Sequence, residues 1–182
     1  MIFEEQTFEL KGKTITLRSP KKEDAEMLID WLKTVSDETP FLLLYGDEVS
    51  LTKEKEESFI EERNSSENGI MILTFVDDEF AGNCSFSAVG TSRRSKHRAN
   101  IGIALLQKYT NNGLGRLILT ELIKKIEEAG FTQAELSHVG GNDRARHLYE
   151  SLGFEEVGVI PGAFKYDDGT VRDDCLMVKK LG

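Results

Sequence analysis

YTNNGLGRLILTELIKKIEEAGF, residues 109–131, runs a polar loop, two glycines one residue apart and a long helical repeat in immediate succession. After Gly113, the residues Leu114, Leu117, Ile118, Leu122, Ile126 and Ala129 recur at helical spacing, and Gly130 supplies a stop. Upstream, HRANIGIALL (97–106) reads as an apolar strand. Glycine is a poor opening residue for a helix, because it loses backbone entropy and offers no side-chain cap. A strand, a glycine loop and a helix do build an anion site. First-turn N–H groups lack an intrahelical partner, the helix dipole adds partial positive charge, and the missing Cβ atoms let a phosphate approach. Arg116 adds a full charge in that turn. The same glycines also satisfy a plain tight turn, and the stretch alone leaves both readings open. Two familiar phosphate loops do not fit. Arg116-Leu117 stand where a P-loop needs lysine and a hydroxyl residue, and Ile118 stands where a dinucleotide fingerprint needs its third glycine.

Outward from this stretch the chain alternates strands and helices. KTITLRS (13–19) reads as a first strand, and SPKKEDAEMLIDWLKTV (19–35) as a helix with Ser19 as its cap and Ala25, Leu28, Ile29 and Leu32 on one face. SDETPFLLLYGDEVS (36–50) is irregular and apolar at its middle, and LTKEKEESFIEERNSS (51–66) is a charged helix expected to bury Phe59 and Ile60. GIMILTFV and FAGNCSFSAVG form a hairpin around Asp77-Asp78-Glu79. Beyond the central helix come the strand TQAELSHV, the short helix NDRARHLYESLG, and a closing hairpin of FEEVGVIPGAF and VRDDCLMVKKL. The pattern predicts an α/β or α+β fold with a mixed sheet, in one domain spanning residues 1–182.

Composition excludes several classes. A net charge of −9 argues against a general nucleic-acid binder, and the basic stretch SRRSKHR (92–98) reads as a solvated hairpin loop. No apolar run reaches membrane-spanning length, and MIFEEQTFELKGK lacks the apolar region of a signal peptide. Cys84 and Cys175 sit far apart in strand-like runs, which fits a reducing cytoplasm. No metal-ligand spacing is visible, and no metal is expected.

IALLQKYTNNGLGR (103–116) resembles the acetyl-CoA signature of the GCN5-related N-acetyltransferase (GNAT) family, an apolar strand followed by Arg/Gln-x-x-Gly-x-Gly/Ala opening a helix. NDRARHLYESLGF (142–154) resembles the Asn-x-x-Ala-x-x-Leu-Tyr-x-x-x-Gly-Phe segment of the same family. The opening LKGKTITLRSPKKEDAEMLIDWL and the ending DDGTVRDDCLMVKKL are similar to the ribosomal-protein alanine acetyltransferase branch, so the resemblance covers nearly the whole chain. It implies a mostly antiparallel central sheet, splayed at the coenzyme site, with helices on both faces. The backbone of Ile103, Ala104 and Leu105 would pair with the pantetheine arm, and Thr110, Asn111, Asn112, Gly113, Leu114, Gly115 and Arg116 would hold the pyrophosphate. Asn142 would contact pantetheine as well as serving as a helix N-cap, and Ala145 matches the family alanine one turn on. Tyr149 matches the acid that protonates the leaving thiolate, although it also lies on the apolar stripe of Ala145, Leu148 and Leu152.

Two departures from the family pattern stand out. Thr110 replaces the usual Arg or Gln, and the positions at which members carry a glutamate base are Ser137 and Asn100. His138 should pack on the face opposite Ser137, and His97 and His147 join no cluster. The implied function is acetyl transfer from acetyl-CoA to a primary amine, small-molecule or peptide, by direct attack in a ternary complex. A homodimer is compatible with the family. A fold relative that binds acyl-CoA without transferring it is the competing reading, motivated by the missing glutamate.

Overall fold

The computed structural model describes residues 1–182. Its strands are β1 (Gln6–Leu10), β2 (Lys13–Arg18), β3 (Gly69–Val76), β4 (Glu79–Ala88), β5 (Arg98–Leu105), β6 (Gln133–Val139), β7 (Glu155–Lys165) and β8 (Val171–Lys180). Its helices are α1 (Ala25–Glu38), α2 (Lys53–Ser65), α3 (Leu114–Glu128) and α4 (Asp143–Ser151). The strands form one sheet in the order β1-β2-β3-β4-β5-β6-β8-β7. β1–β2, β2–β3, β3–β4, β6–β8 and β7–β8 pair antiparallel, whereas β5–β6 is parallel. The mixed, mostly antiparallel sheet expected from the sequence is therefore present. No helix is long and apolar enough to cross a membrane.

The chain divides into two compact units, Met1–Ser87 with Gly102–Leu122, and Ala88–Ile101 with Ile123–Gly182. In the first, α1 buries Ala25, Leu28, Trp31 and Val35 against Ile60 of α2 and Leu73 of β3. Trp31 meets Phe80 edge-on at 5.7 Å. The Thr52 hydroxyl caps α2 by accepting the Lys55 N–H at 3.4 Å. Phe59 does not join Ile60 inside; it is 38% exposed, with the Arg63 guanidinium 5.1 Å over its ring. Adjacent helical residues point about 100° apart, so it is Glu56, four residues before Ile60, that shares the buried face. Burial pushes the Glu56 carboxyl above the usual carboxylate range.

Two further readings of this region are corrected. Ser19 does not cap α1, which opens at Ala25 after a 3₁₀ turn at Lys22–Asp24. Asp24 accepts the Lys21 N–H at 2.7 Å and forks with Arg18 at 2.7 and 2.9 Å, while the Ser19 hydroxyl accepts the Phe3 N–H at 2.8 Å and ties down the N-terminal segment. KTITLR forms a strand as expected, but as β2: QTFEL precedes it as β1, paired Gln6↔Leu17 to Leu10↔Lys13. β1 lies at one edge of the sheet and alternates half-buried with exposed residues, none of them fully buried.

In the second unit β6, β8 and β7 form an antiparallel ladder, and α4 returns Tyr149 to an edge contact with Phe154 at 6.2 Å. The basic loop before β5 is mostly exposed, and the Val89 N–H to the Arg98 carbonyl closes its base at 2.9 Å.

Candidate active site

In the first unit, the C-terminal half of β5 leads straight into the glycine loop. Ile103, Ala104 and Leu105 are half-buried, and the next amide, Leu106 N–H, donates to the Ala81 carbonyl at 2.9 Å. β4 approaches here without side-chain clearance. A Cβ on Gly82 would stand 2.2 Å from the Ala104 carbonyl oxygen, so only glycine fits. On its other side β5 enters the parallel ladder only at Arg98↔Gln133, Ala99↔Ala134 and Asn100↔Glu135, and the register ends there.

The loop is held by its own backbone. Thr110 gives both its N–H (3.1 Å) and its hydroxyl (2.7 Å) to the Gln107 carbonyl, so this side chain is turned inward on the loop. Asn111 adopts φ +63° and Gly113 φ +95°. The Asn112 carboxamide oxygen accepts the Leu114 N–H at 3.0 Å, and the Gly113 carbonyl accepts the Leu117 N–H at 3.1 Å, the first turn of α3. Leu114 is fully buried and anchors that turn; Gly113 and Arg116 are exposed and Gly115 half-buried. A Cβ on Gly113 would meet only Leu10 at 3.8 Å, so it is the left-handed backbone and not crowding that requires glycine there. Helix dipole, first-turn amides and Arg116 thus converge on one exposed loop.

In the second unit, the Asn142 side chain caps α4 by accepting the Ala145 N–H at 3.3 Å, and Ala145 is half-buried one turn below. Tyr149 is 7% exposed, and burial pushes its phenol up to about 12. Its ring lies 6.3 Å from that of His138. Alternation on β6 is as expected: Ser137 is exposed and His138 buried. Asn100 is exposed, and its register partner is Glu135. Sequence reasoning overlooked Glu135, the carboxylate two residues from Ser137 on the same strand face. Arg98 grips it with two guanidinium nitrogens, one at 2.7 Å, and Gln133 adds a bond at 2.8 Å. The Arg98 bonds hold this carboxyl below its usual range, which makes it a poor base.

Comparison with known proteins gives this arrangement a family. The model of the acetyltransferase (GNAT) family matches residues 30–154. The chain belongs to the GNAT family. Another GNAT acetyltransferase, from Streptococcus pneumoniae, superposes with a TM-score of 0.86 at 33% identity, over 92% of this chain and 99% of that one. The yncA protein of Salmonella typhimurium, solved with its cofactor acetyl-CoA, shares the GNAT fold at TM-score 0.80 and 17% identity, over 92% of this chain and 94% of that one. The [ribosomal protein bS18]-alanine N-acetyltransferase of Escherichia coli K12 is 36% identical over 76 residues, 42% of this chain and 50% of that protein. The chain thus spans about half the length of the curated GNAT relatives it matches.

Proposed function

We propose that this chain is an acetyl-CoA-dependent N-acetyltransferase acting on a primary amine, with residues 1–182 working as one domain. The observation that carries the reading is the exposed loop Thr110–Arg116, held in a left-handed turn at Gly113 and opening α3, directly after a strand segment beyond the β6 register. Backbone at Ile103–Leu105 would pair with pantetheine, and the loop amides with Arg116 would take the pyrophosphate. The yncA structure, solved with acetyl-CoA in the same fold, supports this use.

The chemistry is direct attack. The amine nitrogen bonds to the thioester carbonyl carbon, the C–S bond breaks, the amine gives up one proton and the sulfur gains one. Tyr149 is the donor to sulfur in this reading. Burial pushes its phenol to about 12, above the range of an ordinary thiol, so leaving a phenolate behind is uphill. Its proton must therefore be replaced as it leaves, with the amine proton as the source. Glu135 is neutralised by Arg98, and neither Ser137 nor Asn100 is acidic, so the amine itself must arrive largely uncharged. That favours a protein α-amino group near 7.7–8.0 over an alkyl amine near 10.4, and the bS18-alanine relative acts on such a group by name. Both cysteines are free, which supports a reducing cytoplasm on the same reading.

The missing glutamate at Ser137 and Asn100 also favours a second reading, a sensor that binds acyl-CoA without transferring it. Measuring thiol release from acetyl-CoA against a panel of peptides and small amines separates the two. Turnover with any acceptor excludes the sensor, and binding without turnover across the panel excludes the transferase.

A further inference from the structure

Three strands of the second unit bring together donors that acetyl transfer does not use. His138 on β6 and Cys175 on β8 are register partners, and Glu156 on β7 stands opposite Met177, two residues along β8. A ring nitrogen of His138, the Cys175 sulfur and a Glu156 carboxylate oxygen all lie within 4.8 Å of one another. His138 is 7% exposed; its Nδ1 sits 3.2 Å from the Val139 carbonyl, and its Nε2 is buried with no hydrogen-bond partner. An orphaned buried ring nitrogen is costly and uncommon. With Nδ1–H donating to the carbonyl, Nε2 carries the lone pair, which is how a metal-bound histidine is usually oriented by its outer partner.

We propose that His138 Nε2, Cys175 Sγ and the Glu156 carboxylate form a site for a zinc-class divalent cation, with water in the fourth position. The donor set decides the class of ion. A thiolate and an imidazole suit zinc and disfavour magnesium or calcium, which prefer all-oxygen cages. Tetrahedral coordination with bonds of about 2.0–2.3 Å puts donor atoms about 3.3–3.7 Å apart. The cluster must therefore contract by no more than about 1.5 Å, and exposed Glu156 is free to swing in. The local field fits a cation. Glu156, Asp173 and Asp174 all act on the Cys175 position with negative charge. Arg146 of α4 opposes them, but is itself paired with Glu150 at 2.8 Å. Binding replaces the S–H bond with an S–metal bond and releases the proton to solvent.

Cobalt(II) titration of the metal-free full chain, without coenzyme A, is the test. One equivalent should produce a thiolate-to-cobalt charge-transfer band in the near ultraviolet, and zinc should abolish it by displacement. Cys84 is fully buried, so Cys175→Ser should remove the band, and Glu156→Gln, at an exposed position that does not endanger folding, should weaken binding 10–100-fold. No band, a band that survives Cys175→Ser, or unchanged affinity in Glu156→Gln overturns the proposal and returns His138 to a packing role beside Tyr149.

Discussion

In the proposed mechanism Tyr149 gives the proton to sulfur and no carboxylate stands at Ser137, and these two features set the expected pH dependence. Tyr149 stays protonated until about pH 12, so its own titration gives no falling limb below pH 10. With Glu135 held low by Arg98, kcat/KM should climb toward the pKa of the amine with no inflection near 6 to 7. Ser137→Ala should cost less than about tenfold, because water can occupy an exposed position. Tyr149→Phe should lower kcat by about 10²–10⁴-fold with little change in acetyl-CoA affinity, and equal turnover would leave Tyr149 as packing only. For Gly113 the readout is ligand binding. Acetyl-CoA at 100 times its Kd should stabilise the parent protein by about 2.7 kcal/mol, and Gly113→Val should lose most of that, since a branched residue resists φ +95°. An unchanged thermal shift in the valine variant would remove the loop from the coenzyme site.

Among the elements, the helices and hairpins with strong periodicity were legible in the sequence, and α3 with its glycine loop above all. The failures have physical causes. β1 is a five-residue edge strand with only Phe8 and Leu10 as apolar residues and none of the five fully buried, so its alternation is too short to stand out. Ser19 resembled a cap because Ser-Pro often opens a helix, yet Asp24 holds the N-cap position of α1, and its side chain accepts the Lys21 N–H and pairs with Arg18 without capping α1. The His138–Glu156–Cys175 group was invisible because it depends on strand register, which no linear spacing reveals. The candidate site divides the same way: the loop could be read locally, while the neutralisation of Glu135 by Arg98 required the β5–β6 pairing. In α2, Glu56 was hidden by the charge of its neighbours. Its carboxyl is raised in the fold, so the fold is favoured while Glu56 is protonated, and that advantage is lost as pH rises through the folded pKa. Glu56→Gln should therefore raise Tm at pH 7, and the gain should shrink toward pH 3, below the unfolded glutamate pKa of about 4.3, where both states are largely protonated. A gain that persisted at pH 3 would assign the effect to packing instead.

Across the whole molecule, β5 and α3 each contribute to both compact units, so neither unit can be drawn as an unbroken length of chain. Losing either element removes part of both units, and thermal unfolding should appear as one transition by near- and far-ultraviolet circular dichroism alike. Two separated transitions would mean that the units melt independently. The exposed basic loop at residues 92–97 then acquires a practical meaning. A chain divided between Arg93 and Arg94 leaves its first piece without Gly102–Leu122 and its second without Met1–Ser87, so each piece lacks what the first unit needs. Expressed apart, neither half can complete the first unit, so neither should bind acetyl-CoA; mixed, they should reconstitute that binding, turning the molecule into a two-part reporter whose signal depends on what brings its fragments together.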